Sequence, residues 1–157
     1  MGKLTDAQMA RRKLVSERHK ARHFAVQALY QWQLTAASAA NIEAQFRAQY
    51  DMKGADLVYF RALLCGVQGD AGAFDTLLTP FFEDRALSEC DPITLSLLRL
   101  ATYELRERVD VPYKVVINEA VNLAKKFGPE DSHKFINGVL DKAARQLRRV
   151  ELDAEEK

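Results

Sequence analysis

The sequence is poor in the residues that build tight turns and disulfide frameworks. Its 157 residues include only four prolines and seven glycines, few for a fold made of many tight turns. The two cysteines, Cys65 and Cys90, lie far apart and match no metal-binding spacing. Cys65 falls in the apolar run FRALLCGV, which predicts a small core residue. A disulfide framework is therefore unsupported, and a reducing, cytoplasmic setting is expected.

The sequence also lacks a membrane-spanning run. Residues 24–42 carry no charge, but they include three glutamines, an asparagine, a threonine and a serine. Such polar side chains are costly in the hydrocarbon core of a bilayer. The segment also lacks the compact apolar centre and the cleavage signal of a secretion peptide. We expect a helix followed by a loop, and no membrane association.

Motifs of catalysis are missing as well. There is no glycine-rich phosphate loop and no G-x-G-x-x-G. His19 and His23 lie four residues apart on one helix face, but no third ligand is near them in sequence, which disfavours a zinc site. Neither cysteine has a neighbouring histidine in sequence to activate it. The sequence predicts no enzyme, no cofactor and no metal site.

Charge is unevenly distributed along the chain. Residues 1–23 contain seven Lys or Arg and two Asp or Glu, a net charge of +5, whereas the remaining residues carry a net charge of −4. A basic N-terminal segment on an acidic body indicates a polyanionic partner. A solvated charged tail explains the same asymmetry, and charge alone does not decide between the two.

Apolar residues recur at helical spacing throughout, and no segment alternates convincingly at period two, so the predicted fold is all-α. In residues 21–34, Ala25, Ala28, Leu29 and Trp32 share one face. The further predicted helices cover residues 41–51, capped by Asn41; 55–82, broken near 69–72 and ending near Pro80; 90–109, with Asp91 as cap and Pro92 first; 111–127, closed by a left-handed Gly128; and Ser132–Arg148.

Two groups of side chains on these helices suit a nucleic-acid surface. A helical wheel places His19, His23, Gln27 and Tyr30 together on an exposed side, with Arg22, Val26 and Tyr30 along an adjoining line. At the start of the last helix, Lys134 adds anion attraction to free backbone N–H groups. Phe135 lies at the edge of the apolar stripe and is either a peripheral core residue or a platform for a base.

Four segments of the chain resemble the NusB family of bacterial transcription antitermination factors. They are AVQALYQWQL, YFRALLCGV, LLRLATYEL and DVPYKVVINEAVNLAKKFGPEDSHKFINGVLDKAA, in order between about Arg18 and Ala144. The resemblance implies an all-helical fold of two small bundles packed together, over residues 18–149. Residues 1–17 would then be a basic N-terminal extension, with its flexibility left open, and residues 150–157 a frayed acidic tail.

The function that the resemblance implies is RNA binding in transcription antitermination. Members of this family bind the boxA element of nascent ribosomal RNA leaders jointly with NusE, a ribosomal protein. The resulting complex, with other Nus factors, helps RNA polymerase read through terminators. The alternatives are a non-catalytic helical protein-interaction module with a solubilising tail, and a ribosomal RNA methyltransferase, for which 157 residues leave no room for a cofactor-binding domain.

The resemblance also carries over site residues, from the segments SERHKAR and EDSHKF. Together with two residues from the helical wheel, the expected RNA-binding residues are Arg18, Lys20, Arg22, His23, Tyr30, Asp131, Ser132, Lys134 and Phe135. Asp131, or alternatively Ser132, is expected to cap the last helix. Gly138 is expected to let a neighbouring helix pack closely. The surface that meets NusE is left open, with the exposed parts of residues 84–110 as a working assumption.

Overall fold

The structure, a computed structural model, describes residues 2–155 and contains no β-strand within that range. The prediction of an all-α fold is confirmed. The α-helices are α1 (Asp6–Thr35), α2 (Ala39–Gln49), α3 (Leu57–Leu78), α4 (Pro92–Glu107), α5 (Tyr113–Phe127), α6 (Ser132–Leu147) and α7 (Arg149–Glu155). The chain divides into two compact units, unit 1 (residues 1–65) and unit 2 (residues 66–157), and α3 contributes residues to both.

Unit 1 is built on the long helix α1, which begins well before the predicted segment. A capping box starts it: the Thr5 hydroxyl accepts from the Gln8 N–H and the Gln8 side chain accepts from the Thr5 N–H. The helix continues for 30 residues, and only its second half is buried. There Ala25 and Leu29 lie in the core with Ile42 of α2, as the apolar spacing predicts.

Two sequence expectations for unit 1 are wrong. Helix α2 is capped by Ser38, whose hydroxyl accepts from the Asn41 N–H at 3.2 Å, so Asn41 lies in the first turn and is not the cap. Cys65 is exposed rather than buried. It lies on the same face of α3 as Val58, which is 78% exposed, because seven residues are nearly two helical turns.

Unit 2 combines α4, α5, α6 and α7 with the end of α3. The predicted break in α3 is confirmed by the non-helical backbone of Asp70 (φ −141°, ψ 27°). The start of α4 is also confirmed, since the Asp91 carboxylate accepts from the Thr94 N–H at 3.0 Å and Pro92 follows it. Helices α4, α5 and α6 pack on one another and bury Ile136, Val139, Leu140 and Ala143 as predicted, whereas Leu147 is only half-buried.

The end of α5 differs from expectation. Gly128 has extended backbone (φ −88°, ψ 168°), so the left-handed cap predicted there is wrong. The glycine serves a close approach instead: a Cβ at this position would lie 2.5 Å from the Ser132 hydroxyl oxygen. The left-handed residue of this turn is Asp131 (φ 65°).

Residues 150–155 are not frayed, because they belong to helix α7. The Glu151 carboxylate accepts from Arg148 and from the Tyr113 N–H, and Glu155 accepts from the Tyr113 hydroxyl. The Arg148 side chain is buried and donates to four main-chain carbonyls at and beyond the end of α4: Glu104, Leu105, Arg108 and Val111. Met1, Glu156 and Lys157 lie outside the described residues.

Candidate nucleic-acid interface

In unit 1, two arginines of α1 face the ring of Tyr59. The guanidinium carbons of Arg18 and Arg22 lie 4.5 Å and 5.4 Å from its centroid. Arg22 is only 3% exposed, and Val26 is fully buried. The predicted exposed line through Arg22, Val26 and Tyr30 is therefore wrong, because Arg22 lies one turn before the buried residues of α1. Its apolar stem is covered while its charge rests on an aromatic ring.

The exposed cation of this part of α1 is Lys20. Its ammonium lies close to the backbone of Gly54, where a Cβ would be 3.0 Å from the Lys20 Nζ atom. Gly54 has a φ of 86°, so glycine is favoured there for its backbone as well as for this approach. His19 is also exposed beside Lys20. Lys20 and His19 therefore place exposed hydrogen-bond donors on this part of α1.

His23, Gln27 and Tyr30 continue the surface along α1 and are half-buried. The His23 ring packs edge-on against Phe24 at 5.5 Å. The Gln27 side-chain amide donates to the main-chain carbonyl of His23 at 3.0 Å, which engages one of its two N–H groups. Imidazole, amide and phenol groups follow one another along this row, but the predicted exposure holds for His19 alone.

In unit 2, the start of α6 is built differently from the prediction. Asp131 has left-handed backbone (φ 65°, ψ 1°), and its side chain makes no capping hydrogen bond. Its Oδ1 atom lies 3.4 Å from the Lys134 Nζ atom instead, with both side chains largely exposed. Ser132 does not cap the helix either, since its buried hydroxyl oxygen has no hydrogen-bond partner among the described residues. Asp131 thus occupies the predicted N-cap position of α6, but neither side chain makes a capping hydrogen bond.

The aromatic residue of this turn, Phe135, is half-buried. Phe82 meets its ring at a centroid distance of 5.2 Å and an interplanar angle of 85°. The Arg85 guanidinium carbon lies 4.4 Å from the same ring centroid. Sequence reasoning missed Phe82 and Arg85 because they precede α4 in an irregular segment. The signal available there was the run FFEDR, an aromatic pair followed by two acidic residues and an arginine.

Beside Phe135 lies a cleft of about 130 Å³. Gly138 lines it on the α6 side, and a Cβ at Gly138 would meet nothing within 4 Å. The expectation that Gly138 allows a helix to pack closely is therefore wrong, because the space beside it is open. Lys142 and its ion-pair partner Glu83 also line the cleft. An exposed cation, an aromatic ring and an open space thus adjoin one another along α6.

Residues 2–155 contain no group of three or more His, Cys, Asp or Glu arranged to hold a metal ion. None of the helices described is both long and apolar enough to cross a membrane. The predicted RNA-binding residues fall into two sets, which we name the α1 surface (Arg18, Lys20, Arg22, His23 and Tyr30) and the α6 surface (Asp131, Ser132, Lys134 and Phe135). Each set lies within one unit.

Comparison with known proteins places this chain in a family. The profile of the NusB family matches residues 19–145. The chain is 57% identical over 137 residues to the transcription antitermination protein NusB of Teredinibacter turnerae, covering 87% of this chain and 93% of that protein. The NusB of Saccharophagus degradans is 54% identical, with 87% and 91% covered. The structure of T. maritima NusB aligns with a TM-score of 0.71 at 30% identity, covering 82% and 90% of the two chains. This chain belongs to the NusB family.

Proposed function

We propose that this protein is a transcription antitermination factor that binds boxA-type single-stranded RNA in nascent ribosomal RNA leaders. It does so jointly with the ribosomal protein NusE and, with other Nus factors, helps RNA polymerase to read through terminators. The process takes place in the cytoplasm and needs no catalytic step from this chain. Support comes from the relatives named as transcription antitermination proteins, which are 51% to 57% identical over most of the chain.

The observation that carries the proposal is the arrangement around Phe135. Single-stranded RNA is held by cations that meet its phosphates and by aromatic rings that stack on its bases. The α6 surface offers both, since Lys134 is exposed one residue before the half-buried Phe135. Arg85 adds a second cation against the ring. The open cleft above Gly138 leaves space for a base beside the ring.

The α1 surface supports the same function through charge and hydrogen bonding. Lys20 and His19 are exposed, and Tyr30 presents a phenol further along the helix. Arg18 rests on Tyr59, which holds its guanidinium group and lowers the entropy lost when a phosphate is bound. Arg22 contacts the same ring. In this proposal Arg22 acts mainly by holding this arrangement together, because it is only 3% exposed.

NusE is the proposed protein partner. The exposed parts of residues 84–110 are the proposed contact surface, and they include Val109, which is 75% exposed.

A filter-binding titration tests the proposal. Labelled boxA-type RNA and a permuted sequence of equal composition are titrated with the protein, with and without NusE. The expected result is tighter binding of the boxA-type sequence, strengthened by NusE. Lys134→Gln should weaken binding, whereas Lys125→Gln, at another exposed lysine near the end of α5, should not. Binding of NusE without any RNA affinity would favour the protein-interaction module.

A further inference from the structure

The exposed first half of α1 repeats the basic pattern of the α1 surface. Residues 11–13 read RRK and residues 18–20 read RHK, seven residues later on the same unbroken helix. Seven residues make almost two turns, so each side chain of the first triplet lies about 20° around and roughly 10.5 Å along the helix from its counterpart. Arg11 precedes Arg18 and Lys13 precedes Lys20 in this way. The first triplet lies outside the part of the chain that the family profile matches.

The structure presents this first triplet to solvent on an ordered helix. Every side chain from residue 2 to residue 16 is exposed. The capping box of Thr5 and Gln8 closes the free end of the helix. Where the exposed half meets the packed half, the Glu17 carbonyl accepts from the Asp56 N–H at 2.9 Å, which ties α1 to the residue before α3. A short exposed helix is marginal alone, but here it continues a packed one and needs no new nucleus.

The exposed apolar residues of this segment do not form a docking stripe. Met9, Leu14 and Val15 are 56%, 43% and 57% exposed. On the helical wheel these three lie about 100° or more from one another, so they form no single face. A groove on another protein, or a lipid surface, requires such a face. The three consecutive cations instead spread over about 200° of the helix surface, which a flexible polyanion can follow.

We propose that residues 11–13 form a second phosphate-binding set, which extends the RNA footprint of the α1 surface along the same strand. The inference rests on the proposed function, because residues 18–20 must hold RNA first. The axial distance of roughly 10.5 Å equals about three nucleotides at the ~3.4 Å spacing of one stacked strand. These contacts reach phosphates only, so they lengthen the site without adding sequence preference.

The test compares two RNAs and three proteins. One RNA is the boxA-type element alone, and the other carries the element with several unstructured nucleotides added at each end. The proteins are the wild type, the triple variant Arg11→Gln, Arg12→Gln, Lys13→Gln, and a charge-matched control, Lys125→Gln, Arg145→Gln, Arg149→Gln. Glutamine keeps the helix propensity of the residues replaced. The control residues are exposed near the C-terminal ends of α5 and α6 and at the start of α7.

Wild type should bind the longer RNA more tightly than the short one, and the triple variant should lose most of that gain. Its plot of log affinity against log salt for the longer RNA should be shallower by about 2, from three contacts at ~0.7 each. The triple variant should bind the short RNA about as tightly as wild type does. The control variant should bind both RNAs about as tightly as wild type, and the thermal midpoints of both variants should change little.

Three results would overturn this inference and leave the proposed function standing. Wild type could bind both RNAs with equal affinity, or the triple variant could keep the tighter binding of the longer RNA. The control variant could also lose as much of that tighter binding as the triple variant does. Wild type that binds neither RNA would overturn the proposed function as well. A triple variant that loses affinity only for vesicles containing phosphatidylserine would assign the segment to a lipid surface instead.

Discussion

The Arg85 guanidinium carbon lies 4.4 Å from the centre of the Phe135 ring, on a segment far from α6 in sequence. Phe82 contacts the same ring edge to face. Phe135 is thus held from two sides within unit 2 and is neither deep core nor a free platform. A base that stacks on this ring must displace Arg85 or pair with it, and either outcome keeps a cation beside the nucleic acid.

Phe135→Leu should separate packing from stacking. Leucine keeps much of the apolar contact but has no aromatic face, and base stacking is worth about 1–3 kcal/mol. RNA affinity should fall about tenfold, while the loss of stability stays below the ~3–5 kcal/mol of a fully buried phenylalanine. Filter binding and urea unfolding measure the two quantities. Phe82→Leu is the control, expected to cost stability with little change in affinity. An unchanged affinity in Phe135→Leu would show that the ring holds no base.

Substitution of Arg22 should lower thermal stability, whereas substitution of Lys20 should lower RNA affinity, although both are basic residues of α1. Arg22→Ala removes a nearly buried side chain with its contact to Tyr59, so the thermal midpoint should drop by several degrees. Lys20→Gln removes an exposed charge, so the midpoint should stay within about a degree while RNA affinity falls and its salt dependence weakens. Arg22→Ala with an unchanged midpoint would contradict the packing role that we assign to this arginine.

Much of the fold could be predicted from the sequence because its signals are local. Asp91 followed by Pro92 specifies the start of α4, and the spacing of apolar residues places Ile136 and Leu140 in the core. The α1 extension was not predicted as a helix, because residues 6–17 carry no apolar stripe. Its helical state comes from a capping box and from continuity with the packed half, which hydrophobic periodicity does not report.

The candidate site was harder to predict because its details depend on tertiary contacts. The wheel placed Arg22 on an exposed side, whereas Tyr59, 37 residues away in sequence, covers it. Nothing local indicated that Arg85 would lie against Phe135 across 50 residues. Asp131 matched the composition of a helix cap, yet its left-handed backbone turns the side chain towards Lys134. The residue types indicated which chemical groups the site contains, but they did not indicate which way each side chain points.

Arg148 should be essential for stability and not for RNA. Its guanidinium donates to four main-chain carbonyls at and beyond the end of α4 and is 4% exposed. Arg148→Met removes this donor from all four carbonyls. Those of Glu104 and Arg108 keep a main-chain donor, whereas the losses at Leu105 and Val111 should cost at least about 2 kcal/mol. Lysine should not rescue it, because an ammonium cannot reproduce the planar fork. Arg149→Met, the exposed neighbour, is the control for urea unfolding. A stable Arg148→Met would show that water replaces these bonds at no cost.

Gly138→Ala should raise stability and lower RNA affinity together. Alanine is favoured over glycine inside a helix by about 1 kcal/mol, and its Cβ meets no atom within 4 Å. The methyl group would narrow the cleft beside Phe135, where we place a base. Asn137→Ala, at the exposed neighbouring position, controls for helix propensity. If Gly138→Ala raises the midpoint and leaves RNA affinity unchanged, the cleft takes no part in binding.

Asp131 combines a strained backbone with a charge that opposes RNA. Its φ of 65° costs an ordinary residue roughly 1–2 kcal/mol, but aspartate and asparagine tolerate it through local hydrogen bonds. Its carboxylate lies 3.4 Å from the Lys134 ammonium, and since both are largely exposed the pair contributes little to stability. In this pair the Asp131 carboxylate competes with a phosphate for the Lys134 ammonium, and its negative charge repels the phosphate.

Substitutions at Asp131 separate these two effects. Asp131→Asn should leave stability within about 0.5 kcal/mol and tighten RNA binding, because it frees Lys134 and removes a negative charge. Asp131→Gly should be at least as stable as wild type and Asp131→Ala about 1 kcal/mol less stable, since only glycine adopts this backbone without strain. Thermal unfolding and filter binding on all three variants decide the matter. A glycine variant less stable than wild type would restore the capping role, and an asparagine variant that is equally stable but binds RNA more weakly would show that the carboxylate contacts the RNA.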